Sequence, residues 1–157
     1  MTLPLLPVSS PEAEWQLVEL ARSTIDANTD AGPDEDGVHT MGAAVRSSDG
    51  RMFAGVNPYH CTGGPCAEVV ALGAVRAAGA RELTAIVAAG NHGRGPVGPC
   101  GRDRQVLFDY HPSVRVILPT EYGVRSVLIA DLMLSRSGVD RRRRRTQPYD
   151  PSLFTDQ

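Results

Sequence analysis

The chain has 157 residues, of which 41% are hydrophobic and 22% are charged, and its formal net charge is -2. A chain of this length typically forms one domain around one core, and no apolar run approaches the roughly 20 residues that a membrane-spanning helix needs. The sequence shows no basic leader before an apolar stretch, so we expect a soluble cytoplasmic protein. Three cysteines are too few for a disulfide framework, and in such a compartment thiols are expected to serve metal binding or catalysis.

The first part of the chain is predicted to form one helix and one hairpin. A serine–proline pair precedes a run with helical spacing, which predicts a helix that ends near Asn28. Residues 29–37 carry Asp, Gly and Pro without periodicity and are expected to form a loop. Strands are predicted over 41–46 and 51–56, because an Asp-Gly pair between two apolar runs is a strong hairpin signal.

The second part alternates helices and strands. The predicted elements are a helix over 66–78, a strand over 83–89, a glycine-rich loop over 91–99, a helix over 100–110, strands over 114–118 and 124–127, and a last helix over 128–135. Strands joined through helices favour parallel pairing and helices on both faces. We therefore predict an α/β fold, a three-layer α-β-α sandwich with a mixed five-stranded sheet. One domain should span residues 1–139, followed by a flexible basic tail over 140–157.

The tail contains an unbroken arginine run from Arg141 to Arg145, whereas acidic residues crowd residues 26–36. A run of like charges is usually a solvated tail, and binding to RNA, a membrane or a partner is the less favoured alternative. We therefore expect neither nucleic acid nor a membrane as a partner.

Two short segments place proline and then cysteine at the start of a predicted helix. They are Gly64-Pro65-Cys66-Ala67-Glu68 and Gly98-Pro99-Cys100-Gly101-Arg102-Asp103-Arg104-Gln105. Proline suits the start of a helix, and the helix dipole stabilises a thiolate there. Two such helix starts that face each other would hold a divalent metal of soft or intermediate ligand preference between two thiolates.

Asp103 and Glu68 complete the predicted site. Cys100 and Asp103 are three residues apart, hence on one helical face, and both can bind one ion. Zinc held by three protein ligands keeps a position for water, which is the arrangement of a catalytic site. Glu68 follows the first ligand and can move protons between that water and a substrate. The competing interpretations are that Asp103 only interacts with the helix dipole and that Glu68 is a surface residue.

The third cysteine and the histidines are not expected to bind the metal. Cys61 has no partner at ligand spacing and is predicted to be a small buried residue. The histidines also lack ligand spacing and are expected at the surface or in hydrogen bonds; they are His39, His60, His92 and His111.

These motifs resemble the paired zinc motifs of the cytidine deaminase superfamily. The longer stretches over 55–68 and 99–111 are more similar still to the blasticidin S deaminase-like members. The similarity runs from about Gly42 to Leu134. The family has a cysteine where this chain has Asp103. Zinc also accepts a carboxylate oxygen, so Asp103 can still bind it. Because this oxygen is a harder donor than the sulfur it replaces, we expect a more Lewis-acidic and less tightly bound metal.

The resemblance implies zinc-dependent hydrolytic deamination of a cytosine-containing nucleoside, such as cytidine, deoxycytidine or a blasticidin S-like nucleoside, with Glu68 as the catalytic proton carrier. It further implies that the backbone of Ala67 binds the pyrimidine carbonyl, that of Gly98 binds the departing amino group, and Asn57 contacts the sugar. Tyr59 stands where cytidine deaminases carry a second sugar contact, a glutamate, and matches the blasticidin-type pattern. A homotetramer with active sites completed by neighbouring chains is also implied.

Two alternatives remain open. One is a deaminase of another aminated heterocycle, such as a purine or a modified base. The other is a catalytically silent zinc-binding relative, although retention of Glu68 argues against it. The aromatic C-terminal segment with which blasticidin S deaminase closes its pocket is not recognisable after Asp140, so the sequence does not assign antibiotic resistance as the role.

Overall fold

The computed structural model describes residues 10–33 and 38–133. In chain order the elements are helix α1 (Pro11–Asn28), strands β1 (Met41–Ser47) and β2 (Met52–Val56), helix α2 (Ala67–Ala77), strands β3 (Leu83–Gly90) and β4 (Gly95–Val97), helix α3 (Gly101–Tyr110), strands β5 (Arg115–Thr120) and β6 (Gly123–Leu128), and a 3-10 helix over Ile129–Leu132. Within these ranges no helix has the length and apolarity to cross a membrane. The predicted domain boundary at residue 139 and the basic tail lie outside the described residues.

Local sequence signals begin α1 and close the first hairpin. Ser10 caps α1 by accepting a hydrogen bond from the amide of Ala13 at 3.2 Å, and Pro11 occupies the first helical position. The turn between β1 and β2 ends at Gly50, whose φ of 86° suits a residue without a side chain. The helix and the hairpin predicted for this part of the chain are confirmed.

The strands form one mixed sheet in the order β2-β1-β3-β5-β6, and the short β4 pairs with β3. β1 is antiparallel to both β2 and β3, β3 is parallel to β5, and β5 is antiparallel to β6. The predicted mixed sheet is confirmed, and its five predicted strands are all present. β4 adds a sixth strand of three residues inside the segment that was predicted to be a loop.

The end of the described chain differs from the prediction. A helix was expected over 128–135, of which the structure describes residues 128–133; there it has a 3-10 helix over Ile129–Leu132, and residues 134 and 135 lie outside the described residues. Ile129 is fully buried, and its amide donates to the carbonyl of Val114 at 3.0 Å. This hydrogen bond and the burial of Ile129 hold the start of the segment against the residue before β5, and 3-10 turns of this length are common as short connectors.

Helices cover both faces of the sheet. The core on the α1 face contains Leu17, Val18, Ala21, Ala44, Ala85, Val87, Ala89 and Ile117. The core on the opposite face contains Ala43, Val45, Ala67, Ala71, Val75, Ile86, Ala88, Leu107 and Val116, among others. Successive residues of β1 and β3 therefore enter opposite cores, as the pleat of a strand requires. The predicted three-layer α-β-α sandwich is confirmed.

Two glycines let a helix approach the sheet closely, one on each face. A Cβ atom at Gly42 would collide with the carbonyl oxygen of Ala21 in α1. A Cβ atom at Gly55 would lie 2.5 Å from the amide nitrogen of Ala71 in α2. Both obstacles are backbone atoms of packed helices, so they cannot rotate out of the way.

Gly55→Ala is expected to destabilise the protein by about 2 kcal/mol, because the added methyl group pushes α2 away from β2. Urea unfolding measures the effect. Gly73→Ala is the matched control, since a Cβ atom there meets nothing within 4 Å and alanine favours the α2 helix by up to about 1 kcal/mol. Equal unfolding midpoints for the two variants would contradict the close packing at Gly55.

Candidate metal centre and pocket

The two cysteine motifs meet at the starts of α2 and α3. Cys66 and Cys100 were predicted to be the first residues of these helices; in the structure each lies one position before its helix, in an extended backbone conformation. Their Sγ atoms lie 3.6 Å apart, and Oδ2 of Asp103 lies 3.1 Å from Sγ of Cys100. The three ligand atoms lie within 4.8 Å of one another. In the part of the chain that the structure describes, these residues are the one such cluster.

The three ligand atoms lie close enough together for one zinc ion to contact all of them, and the 3.1 Å between Sγ of Cys100 and Oδ2 of Asp103 is shorter than in a regular tetrahedral site. Zinc–sulfur bonds of about 2.3 Å and zinc–oxygen bonds of about 2.1 Å place two sulfur atoms about 3.8 Å apart and a sulfur and an oxygen about 3.6 Å apart. Asp103 is 1% exposed, and its Oδ1 has no hydrogen-bond partner among the described residues. A buried carboxylate oxygen without a partner is costly, and a cation would satisfy it. The donor set therefore fits zinc.

The same cluster concentrates acidic groups in a confined space. Burial raises the pKa of the Cys66 thiol to about 12, and its interactions with Asp103 and Cys100 act in the same direction. Burial also raises the pKa of Glu68 to about 7, with a contribution from the negative charge of Asp103. Glu68 is only 7% exposed. A bound cation would oppose these effects by favouring the ionised forms.

Arg104 does not form an ion pair with the carboxylate of Asp103. Its Nε donates to the carbonyl of Pro99 at 2.9 Å, and its Nη1 donates to the carbonyl of Leu132 at 3.2 Å. Within residues 10–33 and 38–133, Asp103 forms no ion pair. Arg104 instead ties the chain before α3 to the 3-10 helix, and so holds the helix start that carries Cys100.

The raised pKa of Glu68 predicts that metal-free protein is more stable at acid pH. The pKa of Glu68 is about 7 in the folded protein and 4.5 ordinarily, so the protonated side chain favours the folded state. Its contribution to the free energy of unfolding is complete below pH 4.5 and is lost as pH rises through 7. The loss should reach roughly 3 kcal/mol. Urea unfolding of metal-stripped protein at acid and at alkaline pH measures it. Metal-free Glu68→Gln should lack this part of the pH dependence, and an unchanged dependence would contradict the assignment.

All eight site residues predicted from the sequence line one open cavity of about 430 Å³. They are Asn57, Tyr59, Cys66, Ala67, Glu68, Gly98, Cys100 and Asp103. The volume is typical of a small-molecule pocket. The structure thus brings these residues together, while their individual roles stay predictions.

Asn57 is held in this cavity by the start of β1. Its Oδ1 accepts hydrogen bonds from the amides of Thr40 at 2.9 Å and Met41 at 2.8 Å. Two backbone donors fix the carbonyl end of the side chain, so the amino end is left as a donor. Nη2 of Arg94 donates to the carbonyl of Thr40 at 2.8 Å and to Oδ1 of Asn91 at 2.6 Å. The peptide segment that holds Asn57 is therefore anchored in turn by Arg94.

The sequence prediction missed several features of the cavity. Met41 and Val97 add apolar wall, and Val97 lies in the strand β4 that was predicted as loop. A Cβ atom at Gly64 would collide with the carbonyl oxygen of Pro58, so the loop over 57–65 folds tightly on itself. The Gly63-Gly64 pair was the available signal. Cys61, predicted to be buried, is exposed because this loop lies outside both cores.

A second cavity, of about 510 Å³, lies beside α2 and the end of α3. Val69, Leu72 and Tyr110 contribute to its lining, together with Arg76 and His111. None of the three residues that could bind a metal lines it. The larger cavity therefore lacks the cysteine and aspartate side chains that line the smaller one.

Comparison with known proteins supports the family resemblance, although no protein-family model matches the chain. The cytidine deaminase of Mycobacterium tuberculosis is 34% identical over 102 residues, which cover 64% of this chain and 74% of that protein. The blasticidin-S deaminase of Bacillus cereus is 30% identical over 135 residues, which cover 78% of this chain and 90% of that protein.

Solved structures share the fold. The crystal structure of cytidine deaminase from Mycobacterium leprae aligns with a TM-score of 0.62 and 27% identity, covering 77% of this chain and 98% of that one. The cytidine deaminase of Burkholderia pseudomallei aligns with a TM-score of 0.62 and 30% identity, covering 81% and 98%. The chain therefore belongs to the cytidine deaminase superfamily, whose members are hydrolases that act on carbon–nitrogen bonds.

Proposed function

We propose that this protein is a zinc-dependent hydrolytic deaminase that converts a cytosine-containing nucleoside to its uracil form and releases ammonia. The observation that carries the proposal is the position of Cys66, Cys100 and Asp103 in one cavity with the buried Glu68. The relatives named cytidine deaminase and blasticidin-S deaminase support the substrate class.

Cys66, Cys100 and Asp103 would hold the zinc ion. When bound, zinc would supply Lewis acidity that lowers the pKa of a coordinated water towards about 7. Two thiolates and one carboxylate are three ligands, which is the number that leaves a zinc position open in catalytic sites. The chain's own groups then have to bind the substrate and carry its protons.

Glu68 would carry those protons. It lies in the first turn of α2, two residues after Cys66; in the metal-free protein burial raises its pKa to about 7, and a bound cation would favour the ionised form again. Burial and the cation thus act on Glu68 in opposite directions, which suits a group that has to accept and then release a proton. Glu68 would accept one proton from the attacking water and deliver it to the ring nitrogen next to C4, and it would then take the second proton from the new C4 hydroxyl and give it to the departing amine. One water is consumed, the C4–N bond breaks, and ammonia leaves.

Four further residues would position the substrate. Ala67 opens α2, where a backbone N–H has no partner within the helix and can donate to the pyrimidine carbonyl. The backbone of Gly98 would accept a hydrogen bond from the departing amino group. The amino end of Asn57 would donate to a sugar oxygen, and Tyr59, which is 58% exposed, would contact the outer part of the substrate at the mouth of the cavity.

A substrate panel tests the proposal. Protein with one zinc per chain should release ammonia from cytidine, deoxycytidine or blasticidin S and give the corresponding uracil product. Free cytosine, adenosine and guanine are the comparison compounds. Ammonia from purines alone would favour a deaminase of another heterocycle, and no ammonia from any compound would favour a silent zinc-binding relative. Either result would overturn the proposed substrate class.

The proposed assembly is a cytoplasmic homotetramer built from a single domain over residues 1–139, with the basic segment over 140–157 as a tail. The resemblance to the family supports it. Light scattering after gel filtration is the test, and a fully active monomer would refute the tetramer.

A further inference from the structure

The carboxylate of Asp103 has one oxygen near a thiol and one oxygen without any partner. Oδ2 lies 3.1 Å from Sγ of Cys100, whereas Oδ1 is buried and forms no hydrogen bond among the described residues. Asp103 as a whole residue is 1% exposed, so bulk water does not compensate. A metal bound through Oδ2 alone would leave Oδ1 unsatisfied, and a buried unsatisfied acceptor is costly.

The surrounding cations do not supply the missing partner. Arg104 directs its guanidinium to the carbonyls of Pro99 and Leu132. Asp103 forms no ion pair in the described ranges. The one cation that the donor set accommodates is therefore the metal ion itself, and it can satisfy both oxygens at once.

We infer that Asp103 binds the metal ion through both carboxylate oxygens and thereby sets which metals the site accepts. The inference rests on the proposed metal site and deepens it. Two sulfur and two oxygen donors carry the same formal charge as three thiolates, since a carboxylate and a thiolate each contribute -1. They form a harder set with one more donor atom, which should reduce the preference for thiophilic metals.

Cobalt substitution tests the number of donor atoms. The visible bands of Co²⁺ weaken when a fifth ligand joins four, because the centre then departs from tetrahedral symmetry. Wild-type protein should show weaker visible bands than Asp103→Cys, and Asp103→Asn should resemble the cysteine variant in band strength, since an amide binds through one oxygen. The ultraviolet thiolate band should grow only in Asp103→Cys. Visible bands of equal strength in wild type and Asp103→Cys would overturn two-oxygen binding.

Zinc X-ray absorption on the wild-type protein decides the matter even if a variant fails to fold. Two-oxygen binding predicts five ligand atoms with a water included, two of them sulfur. Four ligand atoms would refute it.

Competition between Cd²⁺ and Zn²⁺ tests the effect on metal selectivity. Asp103→Cys should raise the affinity for Cd²⁺ relative to Zn²⁺ by roughly tenfold or more, because a third thiolate is a softer donor. Asp103→Asn is the matched control, since it keeps two thiolates and should leave this ratio nearly unchanged. An unchanged ratio in Asp103→Cys would overturn the role in selectivity. None of these three experiments uses substrate, so an inactive protein that passes all of them would defeat only the proposed function.

Discussion

Glu68→Gln should lose deaminase activity by roughly 10²- to 10⁴-fold while it keeps the fold and the bound metal. Glutamine matches glutamate in size, and the position is buried inside the cavity beside the metal cluster. An amide, however, cannot accept the proton of the attacking water or return it to the substrate. Steady-state ammonia release measures the loss, and metal analysis verifies that one zinc per chain remains.

Glu82→Gln is the control for this variant, because Glu82 is an exposed glutamate outside the cavity. It should retain wild-type turnover. Activity of Glu68→Gln within tenfold of wild type, at full metal content, would refute the role of Glu68 as proton carrier. A loss of activity accompanied by loss of metal would instead show that the carboxylate supports the metal site.

Cys100→Ala should lose its metal and, with it, activity and stability. Removing even a residue that orients a ligand costs about 10- to 100-fold in metal affinity, so removal of a ligand should cost at least about 100-fold. Since metal binding free energy contributes to folding, the variant should also lose the rise in melting temperature that added zinc gives the wild type. Metal analysis after dialysis and thermal unfolding with and without zinc are the measurements.

Cys61→Ala supplies the matched control for the cysteine variant. Cys61 is an exposed thiol on the loop over 57–65 and does not belong to the metal cluster. Its replacement should leave zinc content, melting temperature and activity unchanged. One zinc per chain in Cys100→Ala would rule out Cys100 as a ligand, and zinc loss in Cys61→Ala would show that the metal is held elsewhere.

The elements that could be predicted are those with local signals. The cap at Ser10 and the glycine turn at Gly50 act within a few residues, so α1 and the first hairpin are visible in the sequence. β4 is three residues long and exists through its pairing with Ala88, Ala89 and Gly90. The 3-10 helix likewise depends on a distant backbone partner. Short segments of this kind carry too little periodicity to be predicted.

The features of the candidate site also differ in whether local sequence or long-range packing determines them. Cys66, Glu68 and Cys100 stand in compact motifs, and helical spacing brings Asp103 to the same face as Cys100. The unpartnered Oδ1 of Asp103 is invisible in the sequence, because it depends on which side chains fail to reach it. The carbonyl partners of Arg104 depend on long-range packing as well, since one of them lies 28 residues away.

The double anchoring of Thr40 gives the pocket a spectroscopic reporter. Its amide donates to the side chain of Asn57, and its carbonyl accepts from Arg94, so the peptide segment is clamped on both sides. The amide of Met41 shares the same acceptor. These two amide protons should exchange slowly with solvent for as long as Asn57 keeps its orientation. Their nuclear magnetic resonance signals, recorded with diamagnetic zinc, should therefore report on whether a compound in the cavity disturbs Asn57.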